Sequence, residues 1–266
     1  PVVSIITNIG LEHTALLGDT LPKIATEKGG IIKKSIPVLI GEHNETTDSV
    51  FAEAATALKS KLLFAEDVFH CTEHSSKEAS QSFHLIRTRD EHPFDVEIDL
   101  TGDYQLHNVL TASAAADFLH EETPLTISRR AFREGIRTAA ANTSLHGRWQ
   151  QLSDKPLVIC DTGHNAHGLA YVAEQLRRSQ CEKLYCVIGF VKDKEIGSCL
   201  QLLPKKAHYL FTAAHSERSL PASELAEKAA DYGLAGEVVE GVSNALNRAR
   251  ELASEQDMIF VGGSNF

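Results

Sequence analysis

The chain has 266 residues, of which 42% are hydrophobic, and its formal net charge is −10. This length allows two domains, since domains usually contain about 100–150 residues, and the hydrophobic content is sufficient to fill their cores. Lys and Arg together number 26 against 36 acidic residues, which argues against a general nucleic-acid-binding protein, because such a protein needs a basic face. A site for a small anionic ligand, held by a few local charges, is compatible with this balance.

Cysteine usage and hydropathy favour a cytoplasmic protein without a membrane span. The five cysteines include no C-x-x-C pair, and Cys160 and Cys186 lie in apolar runs, so we expect buried free thiols. No apolar run reaches the ~18–20 residues that a membrane-spanning helix requires. The chain opens on Pro1 and a strand-like run, with no signal peptide, and we expect it to be part of a longer protein.

The first half is predicted to mix buried strands with amphipathic helices. Residues 2–9 and 37–41 are β-branched and apolar, as in buried strands, whereas 82–100 alternates polar and apolar residues, as in an antiparallel pair. Helical spacing occurs in the segments 20–32, 49–60, 108–119 and 127–140. Thr126 or Ser128 is the expected N-cap of the last of these helices. The polar segment 142–147 lacks periodicity and is the best candidate for a linker.

After this linker, strands and helices alternate strictly. The predicted strands are 157–161, 184–190, 208–214, 236–240 and 258–263. The predicted helices between them are 168–178, 195–203, 223–232 and 242–254. This alternation indicates βαβ units and a doubly wound, mainly parallel sheet. We therefore predict two domains, 1–142 and 143–266.

Polar residues follow several predicted strands, at the end of a doubly wound sheet where ligands bind. The run 161–165 (DTGHN) suits a ligand that carries hydroxyls and charge, although Asp161 or Thr162 could equally cap the next helix. In the run 262–265, two glycines allow close approach of a ligand to which Ser264 can hydrogen-bond; a plain exit turn is the alternative. The run 215–218 is adequately explained as a polar surface loop.

Two residues of the first half also occupy suggestive positions. His13 follows a strand end, where it could bind a metal, and Lys28 lies on the next helix. Each has a plainer explanation, since a single His is more often structural and a helical Lys is ordinarily solvated. The pair His164 and His167 has metal-ligand spacing but no third ligand nearby, so a zinc site is weakly supported. Composition and spacing thus indicate a two-domain α/β protein with a ligand site between its domains.

Five segments carry a resemblance to a known family. They are TNIGLEHTALLGDTLPKIATEKGGIIK (7–33), GDYQLHNVLTASAA (102–115), LHGRWQ (145–150), VICDTGHNAHG (158–168) and VGGSNF (261–266). In this order the set resembles the folylpolyglutamate and dihydrofolate synthases of the Mur ligase family. Thr162-Gly163 stands where that family usually has Gly-Ala, Ala166 where it has Pro, and Gly29 where Ala is common. These changes between small residues affect the subfamily and the amino-acid substrate more than the family.

The resemblance implies an α/β fold in two parts. Residues 1–142 would be the C-terminal part of the central ATPase domain. Residues 143–266 would be a doubly wound, mainly parallel, Rossmann-like domain that handles glutamate. A Rossmann dehydrogenase is disfavoured because no G-x-G-x-x-G follows any predicted strand.

The implied reaction is ATP-dependent ligation of L-glutamate to the carboxylate of a folate or dihydropteroate through an acyl phosphate. The implied roles are magnesium binding for His13, a carbamate on Lys28, adenine contact for Asn108, phosphate contact for Arg148, ribose contact for Asp161, and glutamate positioning for His164 and Ser264. Because these residues lie on two domains, domain closure would complete the site. The resemblance also implies ATP, Mg²⁺ and a monovalent cation such as K⁺ as cofactors, and a monomer without nucleic-acid or membrane partners.

One family feature does not occur in these 266 residues. The chain has neither the phosphate loop G-T-N-G-K-G-S nor the acidic magnesium ligand that accompanies it, so we expect the chain alone not to hydrolyse ATP. Two alternatives stay open. The first is another Mur-type ligase with a different acid or amino acid, and the second is a non-catalytic nucleotide-binding module.

Overall fold

The computed structural model describes residues 1–11, 17–192 and 196–264. The chain divides into two compact units, Pro1–Leu145 and His146–Phe266. Both units mix helices with sheets, and two of the three sheets are parallel or mainly parallel, which confirms the predicted α/β class. In the part of the chain that the structure describes, no helix is long and apolar enough to cross a membrane.

Unit 1 begins with a small parallel sheet. Its strands are β1 (Ser4–Ile6), β2 (Val38–Ile40) and β3 (Leu62–Phe64), in that order across the sheet. Helices Leu21–Gly29 and Asp48–Ala57 follow β1 and β2 and bury Ile24 and Phe51 in a core shared with the sheet. The prediction missed β3 because three apolar residues are too few to establish a period.

A three-stranded antiparallel sheet forms the second part of unit 1. Its strands are β4 (Phe69–Ser76), β5 (Gln81–Arg87) and β6 (His92–Ile98), with β5 in the centre. The β5–β6 pair was predicted, but β4 was not, because its last five residues are exposed and polar and show no alternation. The long helix Gln105–Glu122 packs on this sheet through Val109 and Ala114.

Two helices, Arg129–Arg137 and Ala139–Thr143, stand where a single helix over 127–140 was predicted. Ser128 caps the first, as predicted, because its side chain accepts a hydrogen bond from the Ala131 N–H. The break lies at Thr138, whose backbone is not helical, and the Asp99 carboxylate accepts hydrogen bonds from the N–H groups of Ala140 and Ala141. The proposed linker 142–147 therefore starts inside a helix. A cap supplied from the end of β6 could not be read from local spacing.

Unit 2 contains one six-stranded sheet. Its strands are β7 (Gln150–Asp154), β8 (Leu157–Asp161), β9 (Leu184–Ile188), β10 (His208–Phe211), β11 (Gly236–Val238) and β12 (Met258–Gly262). The order across the sheet is β11-β10-β9-β12-β8-β7, and only β7 runs antiparallel to its neighbour. Its described helices are Ala166–Arg178, Gly197–Leu200, Ala222–Ala230 and Val242–Leu252. The edge strand β7 (QQLSD) was missed because only one of its residues is apolar.

Successive residues of the central strands point to opposite faces of this sheet. Ile159 and Phe260 belong to a core with helices Ala166–Arg178 and Ala222–Ala230, whereas their neighbours Val158 and Ile259 contact helix Val242–Leu252. The predicted doubly wound arrangement is thereby confirmed.

All five cysteines are free, as expected, but not all are buried. Cys186 and Cys199 are buried, whereas Cys160, expected to be buried, is only half-buried. Cys160 lies on β8, opposite Gln150 of the edge strand β7.

Candidate functional site

Three strand ends of unit 2 lie side by side, and those of β8 and β12 carry predicted site residues. In the register of the sheet, Gly262 of β12 is opposite both Asp161 of β8 and Ile188 of β9. The turn that contains His164 leaves β8 at this edge, and Ser264 follows β12 at the same edge. The topology thus brings Asp161, His164 and Ser264 together where the carboxyl ends of β8 and β12 lie side by side.

Asp161 connects the β8 turn to the segment that precedes β7. Its side chain is only 2% exposed. One carboxylate oxygen accepts a 2.7 Å hydrogen bond from the Trp149 N–H, and the other accepts a 2.7 Å bond from the Gly163 N–H. Hydrogen bonds to an ionised acceptor are the stronger kind, so the two segments are firmly joined.

Neither Asp161 nor Thr162 caps the helix Ala166–Arg178, so the structural alternative considered for them is wrong. Asn165 is the N-cap, with extended backbone angles and a side-chain oxygen that accepts a 2.8 Å hydrogen bond from the Gly168 N–H. Asp161 instead joins the turn after β8 to the segment that contains Arg148, through its hydrogen bonds from Gly163 and Trp149.

The residues on both sides of Arg148 are held in place by hydrogen bonds or by packing. We call the group of Gly147, Arg148, Trp149, Asp161 and Thr162 the arginine clamp. The Gly147 carbonyl accepts hydrogen bonds from the Thr162 N–H at 2.9 Å and the Thr162 hydroxyl at 3.0 Å. The Trp149 side chain is buried in the core near Phe260, with ring centroids 6.3 Å apart. The backbone on either side of Arg148 is therefore fixed.

Arg148 itself is exposed, and its guanidinium is oriented by the clamp. Nη1 donates to the Thr162 hydroxyl and, at 3.4 Å, to the Gly147 carbonyl. Among the described residues, no carboxylate forms an ion pair with Arg148. A guanidinium held on a fixed backbone without a protein counterion is well suited to bind a phosphate. The sequence singled out Arg148 and Asp161, but it offered Thr162 only as a possible helix cap and gave no role to Trp149.

We expect Gly147→Ala to destabilise unit 2 by about 1–3 kcal/mol. Gly147 has φ +68°, and a Cβ there would lie 2.5 Å from the Thr162 methyl carbon. The substitution would therefore strain the backbone and push the two turns of the clamp apart. Urea unfolding followed by the fluorescence of Trp149, the only tryptophan of the chain, measures this in unit 2.

Gly241→Ala is the matched control. Gly241 has φ +82°, but the nearest atom to its added Cβ would be 3.6 Å away, so this variant has the backbone strain without the clash. Equal destabilisation by the two substitutions would show that the contact between Gly147 and Thr162 does not limit stability.

His164 has a defined tautomer. Its Nδ1 lies 2.9 Å from the Thr162 carbonyl oxygen, and since a carbonyl only accepts, Nδ1 carries the proton. In the neutral ring Nε2 is then the basic nitrogen, able to accept a hydrogen bond from an ammonium group or a hydroxyl.

Lys28 lies at the carboxyl edge of the parallel sheet of unit 1. It is half-buried in the last turn of helix Leu21–Gly29, and its Nζ donates to the Asn8 carbonyl at 3.4 Å. The Asn8 amide donates to Glu42 at 3.3 Å. Asn8 and Glu42 follow β1 and β2, so the side chain reaches the edge where parallel sheets bind ligands. His13, predicted to bind magnesium, lies outside the described residues.

Asn108 is exposed on the first turns of helix Gln105–Glu122. Its side-chain nitrogen donates a 2.9 Å hydrogen bond to the side-chain oxygen of Gln105, which is buried. The two residues are three positions apart and therefore lie on one helix face. Gln105 thus orients the Asn108 amide, which explains the spacing of the Q-x-x-N motif.

A histidine–carboxylate group near the ends of β2 and β3 was not predicted. The His43 ring contacts Asp48 through Nδ1 at 2.7 Å and Asp67 through Nε2 at 3.2 Å, and it stacks on Phe64 at 4.0 Å. Desolvation lowers the His43 pKa, but hydrogen bonds to Asp48 and Asp67 outweigh it and raise the pKa above 6.5. The sequence alone gave no sign of this group, because Asp67 is distant in sequence.

We expect the His43 group to make unit 1 less stable as the pH rises. A folded-state pKa above the unfolded value means that the stabilisation is fully present below about pH 6.5 and is lost as the pH rises through the folded-state pKa. Unfolding free energies from about pH 5.5 to 8.5, for the native chain and His43→Gln, measure this. An identical pH dependence in both proteins would contradict the assignment.

The described residues contain no group of three or more His, Cys, Asp or Glu that could hold a metal ion. The weakly supported zinc site at His164 and His167 therefore has no third ligand among them. His167 instead contacts Tyr171 edge-on, with ring centroids 5.5 Å apart.

Known proteins match both units. Residues 1–116 match the Mur ligase middle domain, and residues 147–265 match the glutamate ligase domain of Mur ligases. A Haloferax volcanii protein named "Probable bifunctional folylpolyglutamate synthase/dihydropteroate synthase" is 30% identical over 99% of this chain and 31% of its own length. The folylpolyglutamate synthase of Lacticaseibacillus casei is 28% identical over 83% of this chain and 51% of its own length.

The fold of this chain also matches that of a solved structure. The bifunctional folylpolyglutamate synthase/dihydrofolate synthase of Yersinia pestis, complexed with AMPPNP and a Mn ion, has a TM-score of 0.79 and 28% identity. The match covers 99% of this chain and 58% of that one. The chain therefore spans between about a third and three fifths of the length of these relatives. With two domain types of one family matched in order over most of its residues, this chain belongs to the Mur ligase family.

Proposed function

We propose that this chain supplies nucleotide- and glutamate-handling groups of a ligase that joins L-glutamate to the carboxylate of a folate or dihydropteroate at the expense of ATP. The observation that carries the proposal is the arginine clamp, which presents an exposed cation at the sheet edge shared by Asp161, His164 and Ser264. The names of the relatives support the folate substrate, and the glutamate ligase domain match supports the amino acid.

ATP would be bound by three groups. Arg148 takes phosphate oxygens, because its guanidinium has a fork of donors that matches them. Asn108, held by Gln105, reads the edge of adenine. Asp161 accepts a ribose hydroxyl while its carboxylate holds the backbone of Trp149 and Gly163. The AMPPNP in the Yersinia structure supports a nucleotide ligand.

The incoming L-glutamate would be positioned by His164 and Ser264. With its proton on Nδ1, His164 offers Nε2 to the amino group, which must lose a proton before it can attack. Ser264 hydrogen-bonds a glutamate carboxylate. His164 follows β8 and Ser264 follows β12, and these two strands pair with each other. The sheet therefore fixes the positions of the two turns that carry these residues.

Lys28 would carry a carbamate. Its neutral amine adds to carbon dioxide and releases a proton, so a cation beside the Asn8 carbonyl becomes an anion that can face a metal. His13 and this carbamate would hold Mg²⁺, which when bound neutralises charge on the transferred phosphoryl group. The Mn ion in the Yersinia structure supports a divalent metal, and we retain a monovalent cation such as K⁺ as a further cofactor.

The reaction is written in two balanced steps. The folate carboxylate attacks the γ-phosphorus of ATP, which gives an acyl phosphate and ADP. The glutamate amine then attacks the acyl carbon, the C–O bond to phosphate breaks, and an amide and inorganic phosphate are formed. A free carboxylate is a poor electrophile because oxide would have to leave, and phosphorylation supplies the better leaving group.

A substrate panel tests the proposal in the whole protein. Dihydropteroate, tetrahydrofolate and a muramyl peptide are each offered with ATP and one of L-glutamate, L-aspartate, L-alanine or meso-diaminopimelate. We expect amide formation only for a pteridine acid with L-glutamate, together with one ADP per amide. Ligation of another amino acid to another acid would assign the chain to a different Mur-type ligase.

The 266-residue chain by itself is expected to be inactive, because it contains no G-x-x-x-x-G-K-[ST] loop to hold the phosphates. Calorimetry with ATP and Mg²⁺ tests this: tight binding by the chain alone would favour a nucleotide-binding module instead. Five free cysteines fit a reducing compartment, and we propose a cytoplasmic monomer.

A further inference from the structure

The side chain of Thr162 makes contacts that the glycine usual at this position of the family could not make. It follows β8 directly and packs on Gly147, where an added Cβ would lie 2.5 Å from its methyl carbon. Its hydroxyl oxygen lies 3.0 Å from the Gly147 carbonyl oxygen. Because a β-branched side chain has few χ1 rotamers, these two contacts fix the position of the hydroxyl.

The proton of the Thr162 hydroxyl also has a defined direction. A carbonyl oxygen only accepts, so the hydroxyl donates its single proton to Gly147. The lone pairs of the hydroxyl oxygen are then left for other donors, and Nη1 of Arg148 donates to it. Thr162 is therefore a fixed acceptor for one N–H group of the guanidinium.

Arg148 is held through one of its three nitrogens. Both of its hydrogen bonds to described residues come from Nη1, to the Thr162 hydroxyl and, at 3.4 Å, to the Gly147 carbonyl. Nε and Nη2 make none within the described part of the chain. These two nitrogens form the edge of a guanidinium that can donate two parallel hydrogen bonds to a phosphate. Thr162 thus holds Arg148 by the nitrogen that leaves this edge available.

Holding Arg148 in advance favours binding of an anion. An exposed arginine side chain samples many rotamers, and a phosphate that binds it must restrict them. The hydrogen bond to Thr162 restricts them already in the free protein, so less of the interaction free energy is lost on binding. A glycine at position 162 would provide no hydroxyl for this purpose.

We propose that Thr162 is a positioning residue for the nucleotide phosphates. Its hydroxyl orients Arg148 so that Nε and Nη2 are ready to donate to phosphate oxygens before ATP binds. This inference rests on the phosphate contact that the proposed function gives to Arg148. It adds that the affinity for the nucleotide depends on a side chain that touches the arginine and not the ligand.

A double-mutant cycle in the whole protein tests the proposal. The affinity for AMPPNP with Mg²⁺ is measured by calorimetry, so that binding is followed without turnover. Thr162→Val keeps the shape of the side chain but removes the hydroxyl, and it should weaken AMPPNP about tenfold. In an Arg148→Ala protein the same change should alter the affinity by less than about twofold, because the group that Thr162 orients is gone.

The outcomes separate this inference from the proposed function. If Arg148→Ala weakens AMPPNP but folded Thr162→Val binds it like the native protein, the role of Thr162 is wrong and that of Arg148 stands. Equal weakening by Thr162→Val with and without Arg148 would show a structural effect and would also overturn the inference. If Arg148→Ala itself binds AMPPNP normally, the phosphate contact of the proposed function fails, and this inference fails with it.

Two further variants identify the hydroxyl as the active group. Thr162→Ser retains it and should recover the affinity to within about threefold of the native value. A serine variant as weak as Thr162→Val would assign the effect to the methyl contact with Gly147 and overturn the proposal. Thr212→Val is the matched control, because Thr212 is buried directly after β10 and its Oγ1 has no partner among the described residues. It undergoes the same exchange of atoms and should leave the AMPPNP affinity unchanged.

Discussion

Arg148→Ala is expected to lower ATP-dependent glutamate ligation by the whole protein about a hundredfold or more, because it removes a positioned cation from the transferred phosphate. The loss should appear in kcat and in kcat/KM for ATP, while the KM for glutamate changes little. The protein should stay folded, since the guanidinium is exposed and the clamp is also held by the backbone bonds of Gly147 and the buried ring of Trp149.

Two further variants sharpen this test. Arg148→Lys should recover only part of the activity, because an ammonium lacks the planar fork of donors. Arg250→Ala removes another exposed arginine of unit 2 and should leave turnover unchanged. Normal turnover by Arg148→Ala would show that Arg148 does not contact the transferred phosphate.

Lys28→Ala is expected to reduce turnover to a similar degree, about a hundredfold or more, because the proposed carbamate is lost with the amine. Small carboxylates such as acetate or formate, added at high concentration, should restore part of the activity by occupying the place of the carbamate. A purely structural lysine would not respond to them. The rescue, rather than the loss, therefore identifies the chemistry.

Lys33→Ala is the matched control for Lys28. Lys33 follows the same helix, is exposed, and donates only to the Gly30 carbonyl at 2.9 Å among the contacts of the described residues. It should keep full activity with or without added acetate. If Lys28→Ala is inactive and no small carboxylate restores activity, Lys28 instead positions the Asn8 backbone.

Much of the fold could be predicted because most elements have a local period. The strand 157–161 was placed correctly, since its four apolar residues and terminal Asp161 stand between polar segments. Strands β4 and β7 were missed because one is largely exposed and the other lies at a sheet edge. The helix break at Thr138 depends on Asp99, which lies far from it in sequence.

The candidate site was predictable only in its outline. Resemblance singled out Arg148 and Asp161, and sheet topology then explains why Asp161 and Ser264 share an edge. The clamp itself arises from long-range pairs, Gly147 with Thr162 and Trp149 with Asp161, which no spacing rule reveals. Gln105 was recognised as part of a motif, but only the hydrogen bond in the structure reveals that it orients the Asn108 side chain.

We propose that this chain belongs to a ligase that activates a folate carboxylate with ATP for attack by L-glutamate. The most direct measurement follows heavy oxygen from a labelled pteroate carboxylate during ligation by the whole protein. We predict that one labelled oxygen appears in the released inorganic phosphate for each amide formed. Amide formation with all of the label retained in the folate product, or released phosphate without label, would rule out an acyl phosphate.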